Sequence, residues 1–275
     1  MKYSVTINFA SALLLYKTIY YTFAITYVVP TEPHNSSCPS PRDGCLTLNE
    51  WIENGTHPFT NGTTVILLSG THVITSTLEI QTVSSIAFAG NPHDHTTVEC
   101  NYNSGFRFNN VKEVNVSNIE FKFCADIYII NEVDIRFTFV FINSYNIKIE
   151  NVKISNGGVV AVVGSHKGSV FQVYSSTLVS GFYLSSLLQS CVMPERVEFV
   201  DSNCSKLVMI QTANDYCLEF SMQRTSIQNV TGYDEALWIN SALKISFTDV
   251  TFWNNSAPLM LVAGRLIEFK GHNLF

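Results

Sequence analysis

A short phrase of alternating apolar and polar residues recurs along the chain, and it limits the available folds more than any other feature. Its clearest copy runs from Phe106 to Phe123, as F-R-F-N-N-V-K-E-V-N-V-S-N-I-E-F-K-F. Apolar residues at every second position indicate strands with one buried face. The asparagines between the runs suit tight bends, because their side chains hydrogen-bond locally and tolerate a left-handed backbone. The phrase predicts short strands joined by asparagine turns.

The phrase returns elsewhere in the chain. It recurs at Phe141–Ile154 with identical offsets, at Trp238–Phe252 with one extra residue, and in a weaker form at Val83–Gly90. A unit that recurs in this way is typical of repeat proteins, in which each unit buries its apolar face only by stacking on its neighbours.

The spacing of the copies predicts coils. Val114 lies 28 residues after Ile86, and Ile147 lies 33 residues after Val114. Ile245 lies 98 residues after Ile147, which corresponds to roughly four more coils of the usual repeat length. No helical periodicity fills the gaps. The sequence therefore predicts an all-β parallel β-helix whose coils stack about 4.8 Å apart, with equivalent asparagines forming hydrogen-bonded ladders at the corners.

Composition excludes one class of function. Only 14% of the residues are charged, against about 25% in typical globular domains. The net charge is −6 and no run of lysine or arginine occurs, whereas nucleic-acid binding calls for a basic patch. We expect no nucleic-acid partner.

Residues 1–26 have the features of a secretory signal. Lys2 is followed by a largely apolar stretch from Val5 to Leu15, and Lys17 interrupts the run before it is long enough to span a bilayer. An uncleaved membrane anchor over Phe9–Val29 is the competing interpretation. A secreted or cell-surface location is predicted in both cases.

Residues 27–62 are predicted to form a Pro-rich loop and a capping helix. Thr47 and Glu50 have the spacing of a capping box, and Leu48, Trp51 and Ile52 make an apolar face at helical spacing. Because the end of a β-helix exposes unpaired strand edges, this helix is expected to be the N-terminal lid.

Residues 63–275 are assigned to the coils. The chain ends in G-R-L-I-E-F-K-G-H-N-L-F, which has the pattern of another coil opening. We expect the sequence to be a fragment of a longer protein, in which further coils or a membrane anchor follow; the alternative is that another chain covers this end.

Seven cysteines in a chain with a secretory signal predict disulfides. Cys38 and Cys45 bracket the Pro-rich loop closely enough to pair, and Cys100 and Cys124 lie one coil apart. Two of the remaining three cysteines should pair, and the third is expected to be buried and free; these are Cys191, Cys204 and Cys217.

The glycosylation motif N-x-S/T occurs repeatedly, which predicts N-linked glycans on a secreted protein. The asparagines are Asn35, Asn54, Asn61, Asn115, Asn203, Asn229 and Asn254. Asn115 lies between Val114 and Val116, so it should point outward if these valines point inward.

Candidate sites for chemistry are few. His93, Asp94 and His95 could be metal ligands, but Pro92 and the following threonines predict a loop and no third ligand is evident, so no metal or other cofactor is expected. Glu195, Arg196 and Glu198 are the nearest approach to a catalytic carboxylate cluster, and a solvated outer face is the alternative explanation for them.

Several stretches resemble a known group of proteins. C-P-S-P-R-D-G-C-L-T-L-N-E-W-I, T-T-V-I-L-L-S-G-T-H, V-E-C-N-Y-N-S-G-F-R-F-N-N-V and I-E-F-K-F-C resemble large secreted or membrane-tethered right-handed β-helix proteins of simple animals such as sponges, with coils similar to the pectate-lyase-like superfamily. F-W-N-N at 252–255 is similar to a short repeat of chlamydial polymorphic outer membrane proteins. The resemblance implies a right-handed extracellular repeat protein, and the catalytic aspartates of the related hydrolases have no clear counterpart here.

Besides a purely structural coil array whose only partners are its own further repeats, the sequence supports two hypotheses about function. The first is a non-enzymatic extracellular scaffold that binds glycans or surface proteins on its outer face. The alternative is a polysaccharide lyase or glycosidase centred on Glu195, Arg196 and Glu198, which requires paired carboxylates in one groove.

Overall fold

The chain folds into an all-β parallel solenoid of about seven turns. The computed structural model describes residues 26–31, 46–54, 59–130, 133–164, 168–186, 195–211, 217–231, 236–256 and 260–274. Within these ranges we number the strands β1 to β25 in chain order, and the pairing ladders arrange them in three columns, which we call faces one, two and three.

From β2 onward, the described turns contribute strands to all three faces, and the turn that begins at β8 adds the extra strand β10. Face one contains β1 (Thr26–Val29), β2 (Thr63–Leu67), β5 (Ser85–Ala89), β8 (Glu113–Ser117), β12 (Asn146–Glu150), β15 (Val170–Tyr174), β18 (Glu195–Val200) and β21 (Leu218–Gln223). Face two contains β3 (Gly70–Ile74), β6 (Thr96–Cys100), β9 (Glu120–Lys122), β13 (Lys153–Ser155), β16 (Thr177–Leu178), β19 (Asn203–Cys204), β22 (Ser226–Gln228) and β24 (Thr251–Trp253). Face three contains β4 (Leu78–Gln81), β7 (Phe106–Asn109), β10 (Asp126–Ile130), β11 (Val133–Ile142), β14 (Val159–Val163), β17 (Phe182–Ser186) and β20 (Leu207–Gln211), while β23 (Leu237–Thr248) and β25 (Met260–Lys270) run from face three into face one.

The inward residues of successive coils stack in register, which confirms the repeat. Ile86 pairs with Val114, and Val114 pairs with Ile147 on the next coil. From Ile147 the same column reaches Ile245 in four steps, as the spacing predicts. These side chains form one continuous apolar core along the solenoid axis.

Single residues with a left-handed backbone turn the chain between faces. Between faces one and two, a column of such residues comprises Asn118, Asn151, Ser175, Asp201, Arg224, Asp249 and Gly271. Each of the first six donates its backbone N–H to a carbonyl of the next coil, as Asn118 does to Glu150 over 3.1 Å. Asn110 and Asn143 occupy an equivalent corner between faces three and one. The predicted left-handed asparagine turns are therefore confirmed at Asn110 and Asn118, whereas Asn109 stays in strand β7.

A short helix caps the first coil, as predicted. Helix α1 (Leu48–Asn54) begins with the capping box, because the Thr47 amide donates to Glu50 Oε2 over 2.8 Å and the Glu50 amide to Thr47 Oγ1 over 3.3 Å. Trp51 is buried between Tyr27 and Phe59, with ring centroids 5.1 and 4.9 Å away. The coils begin earlier than the sequence indicates, since β1 already pairs in parallel with β2.

An unpredicted antiparallel ribbon lies between β9 on face two and the part of β11 that belongs to face three. Strands β10 and β11 pair antiparallel, and the second half of β11 then rejoins the solenoid beside β7 and β14. Tyr128 and Phe137 pack with Val140 and Ala161 in a second apolar cluster that is separate from the axial core, while Ile129 of the ribbon is 65% exposed.

The disulfide between Cys100 and Cys124 joins neighbouring coils, as predicted. Cys204 is buried and free, and Cys217 is disulfide-bonded. Cys38, Cys45 and Cys191 lie outside the described residues. Among the residues that the structure describes, no helix has both the length and the apolar character needed to span a bilayer.

Candidate functional site

A polar groove lies along face two, next to the corner that leads from face one. Strands β6, β9 and β13 run side by side there, and the loop 91–95 precedes β6. The groove has a volume of about 550 Å³ and is lined by this loop, by the corner residues Asn118 and Asn151, and by Glu120, Lys153 and Thr177. We call it the Glu120 groove.

Glu120 is the most enclosed charged group of this groove. It opens β9 two residues after the corner, and its side chain is only 6% exposed although it points away from the core residue Phe121. Its Oε2 lies 2.8 Å from His95 Nε2 and 3.3 Å from Lys122 Nζ. Its Oε1 lies 2.9 Å from Lys153 Nζ and accepts a hydrogen bond from the Ser155 hydroxyl over 3.2 Å.

These donors hold Glu120 in its charged form. Burial alone would raise the pKa of the carboxyl, but hydrogen bonds from Lys153, His95 and Lys122 outweigh it and lower the pKa to about 2. Glu120 is therefore an anion at neutral pH and has no proton to donate, so it acts as the anchor that positions the surrounding donors.

The anchored side chains remain accessible to solvent. His95 is 72% exposed and Lys153 is 58% exposed, although one end of each contacts the buried carboxylate. The groove thus presents nitrogen donors, together with the Thr177 hydroxyl, at fixed positions along its length. Such an array can hydrogen-bond hydroxyl, carbonyl or acidic groups of a ligand.

The floor of the groove includes a pair of stacked amides. Asn151 Nδ2 donates to Asn118 Oδ1 over 2.9 Å, which confirms the predicted asparagine ladder at this corner. The bond joins two consecutive coils along the lining of the groove.

His93, Asp94 and His95, which the sequence suggests as metal ligands, line this groove and contact other protein groups there. His95 contacts Glu120, while the backbone N–H of His93 donates to Asn91 Oδ1 within the predicted loop. In the part of the chain that the structure describes, no three His, Cys, Asp or Glu side chains come together as metal ligands.

The structure does not bring together the proposed catalytic cluster. Arg196 and Glu198 share the outer side of β18, but Glu195 points inward and is buried. Adjacent residues of a strand face opposite sides, so Glu195 cannot join the other two. Arg196 instead pairs with Glu219 at 3.1 Å, and Glu198 accepts hydrogen bonds from Tyr174 and Gln172.

A second, smaller groove lies on the outer side of face one. It has a volume of about 340 Å³ and is lined by Glu113, Asn115, Asn146, Ile147, Lys148, Val170 and Gln172. At its far end the hydroxyl of Tyr174 donates to Glu198 over 2.9 Å; burial and this bond raise the pKa of Tyr174 to about 12.

Most of the described sequon asparagines are accessible. Asn61, Asn115, Asn229 and Asn254 are exposed, Asn203 is half-buried, Asn54 ends α1, and Asn35 lies outside the described residues. Asn115 points outward between the buried Val114 and Val116, as expected. Asn254 Nδ2 donates to Asn229 Oδ1 over 2.8 Å in a second amide ladder.

Sequence reasoning missed Glu120 and Lys153, although a signal for them exists. Lys153 follows Glu120 by 33 residues, the same step that separates Val114 from Ile147, and the two residues are register partners. Extending the repeat to polar positions would have found this pair.

Comparisons with protein-family models, curated proteins and solved structures gave no match to this chain. Its function is therefore inferred from its own residues.

Proposed function

We propose that this protein is a non-enzymatic extracellular scaffold whose Glu120 groove binds glycans or surface proteins. The observation that carries the proposal is the buried Glu120 carboxylate, which holds His95, Lys122 and Lys153 in place while leaving two of them largely exposed. Donors fixed in advance lose little freedom when a ligand binds, which favours recognition of polar groups.

The same arrangement favours binding over proton transfer. A general acid or base works best with a pKa near the operating pH, whereas the pKa of Glu120 is about 2. On face one, Glu195 and Glu198 lie on opposite sides of β18, so these two carboxylates do not form the pair that the lyase or glycosidase alternative requires.

Two features support an extracellular location. The Cys100–Cys124 bond is of a kind that persists in oxidising compartments. Exposed sequon asparagines such as Asn61 and Asn115 are suitable acceptors for glycans in the secretory pathway.

The test is a binding screen with the full chain secreted from animal cells. Wild-type protein is applied to a glycan array and to intact cells, and the ligand found is then measured against Lys153→Gln. Losing one charged hydrogen bond should weaken binding about tenfold or more. Lys244→Gln is the matched control, because Lys244 forms a comparable exposed pair with Glu268 on face one.

Two outcomes would overturn the proposal. One is the absence of any glycan or cell-surface ligand. The other is a ligand whose affinity falls equally in the Lys153 and Lys244 variants, which would place binding outside the groove.

A further inference from the structure

The groove on face one contains its own candidate for glycosylation. Asn115 is one of the residues that line it, and the sequon Asn115-Val116-Ser117 lies on its wall in strand β8. Asn115 is exposed, and within the described chain its side-chain amide makes no hydrogen bond, unlike the laddered amides of Asn118 and Asn151. Its Nδ2 atom is thus free to carry a sugar.

From Asn115 a column of polar side chains continues along the outer side of face one. Asn115 pairs with Lys148, Lys148 pairs with Gln172, and Gln172 pairs with Glu198 on successive coils. Coils follow one another at about 4.8 Å, which is comparable to the length of one pyranose ring. A linear pair of sugars attached to Asn115 would therefore place one ring over Lys148 and the next over Gln172.

The groove offers the groups that N-acetylglucosamine needs. Asn146, which makes no side-chain hydrogen bond in the described chain, supplies an amide for an acetamido group. The Nε2 of Gln172 already donates to Tyr174 and Glu198, so Gln172 offers its Oε1 as an acceptor, while Lys148 supplies a charged donor for hydroxyl oxygens. The half-buried Val170 gives an apolar surface for one ring face. The Lys148 ammonium donates to Glu150 Oε2 over 2.7 Å and lies 5.5 Å from the centre of the Tyr174 ring, which fixes the lysine and leaves its remaining N–H groups for sugar oxygens.

We propose that the face-one groove is a cradle for the protein's own N-glycan, with the first two N-acetylglucosamine residues attached to Asn115 lying along Lys148 and Gln172. This goes beyond the proposed function and shares with it only passage through the secretory pathway. A glycan bound in this way shields face one and leaves the Glu120 groove on face two open.

The test uses the full chain secreted from animal cells. Peptide mass spectrometry measures glycan occupancy at each sequon, and peptide N-glycosidase is then applied to the native protein. Hydrogen bonds between the sugars and the protein should make release from Asn115 about tenfold slower than from the exposed Asn61, which lies outside the groove. The difference should vanish after denaturation.

A variant pair separates the cradle from simple crowding. Lys148→Ala combined with Gln172→Ala should raise the release rate at Asn115 to that at Asn61, while Lys244→Ala, on the same face but several coils away, should leave it slow. An unoccupied Asn115 in a protein glycosylated elsewhere overturns the inference alone, as does release at Asn115 as fast as at Asn61. A secreted protein with no glycan at any sequon overturns it as well, yet leaves the ligand screen of the Glu120 groove to be decided separately.

Discussion

Asn151 donates its side-chain amide to Asn118 over 2.9 Å, and both residues have a left-handed backbone, with φ of 52° and 58°. Each asparagine thus performs two tasks, since it turns the chain between faces one and two and bonds to the equivalent residue of the adjacent coil. Asparagine tolerates this conformation better than most residues with a side chain.

Asn151→Ala should therefore lose about 2 kcal/mol of unfolding free energy, of which about half is the hydrogen bond and half the strain of a left-handed alanine. Asn151→Gly keeps the backbone conformation and should lose only about 1 kcal/mol. Urea unfolding followed by fluorescence measures both. Equal losses in the two variants would contradict the assignment of backbone strain to this corner.

The Cys100–Cys124 bond closes a loop with a sequence separation of 24 residues. Replacing both cysteines by alanine should lower the unfolding free energy by about 3 kcal/mol, because the unfolded chain regains the freedom of that loop. Thermal unfolding under oxidising conditions measures the change. Cys204→Ala is the control, because the Cys204 thiol is free and buried. Adding a reductant should lower the unfolding temperature of this variant as much as it lowers that of the wild type.

Glu120 makes stability depend on pH in the acid range. Its pKa is about 2 in the folded protein and 4.5 in the reference state, so its ion pairs contribute fully above pH 4.5 and are lost as the pH falls toward 2. Allowing for solvent around the exposed lysines, the contribution is about 2 kcal/mol.

Glu120→Gln should accordingly be less stable than wild type at pH 7 by about that amount, and the gap should narrow steadily below pH 4.5. Chemical denaturation at a series of pH values tests this. Glu219→Gln, which removes a more exposed pair with Arg196, should show a much smaller gap at pH 7. A gap for Glu120→Gln that stays constant down to pH 3 would rule out the ion pairs as its cause.

His72 gives a second pH dependence with a different window. It is buried on β3, where its Nε2 lies 2.8 Å from the Leu68 carbonyl oxygen and its Nδ1 has no hydrogen-bond partner in the described chain. Burial lowers the pKa of His72, and the bond to Leu68 only partly offsets this. The folded protein thus binds fewer protons than the unfolded chain once the pH falls below 6.5.

Stability should decline from pH 6.5 downward with a slope of at most about 1.4 kcal/mol per pH unit, and His72→Leu should remove that part of the slope. Unfolding free energies between pH 7.5 and 5 provide the measurement. His93→Gln, in the exposed loop, is the matched control and should retain the wild-type slope.

Much of the fold was predictable because a solenoid repeats one local pattern. The inward residues Val114 and Ile147 occur at the same place in consecutive copies of the phrase, so their pairing follows from spacing alone. Strand β1 was missed because T-Y-V-V directly follows an apolar stretch with the composition of a signal, and its own alternation is too short to stand out. The β10–β11 ribbon was missed because its alternating residues cannot be told from those of a coil strand without knowing the partner.

The candidate site was less predictable for a related reason. Lys153 and Glu120 occupy equivalent repeat positions, so their contact could have been derived from the sequence. His95, by contrast, reaches Glu120 from a turn-rich loop whose path the repeat does not determine. The inward direction of Glu195 also depends on the register of β18 within an irregular part of the chain.

The ribbon of β10 and β11 leaves the solenoid after Cys124 and returns at Phe139, which lies in register with Phe106 on one side while β14 continues the ladder on the other. An excursion of this kind leaves the winding intact, because the second half of β11 still pairs with β7 on one side and β14 on the other. A different segment can therefore replace the ribbon between faces two and three without altering the coils. The solenoid would then present that segment at one defined coil.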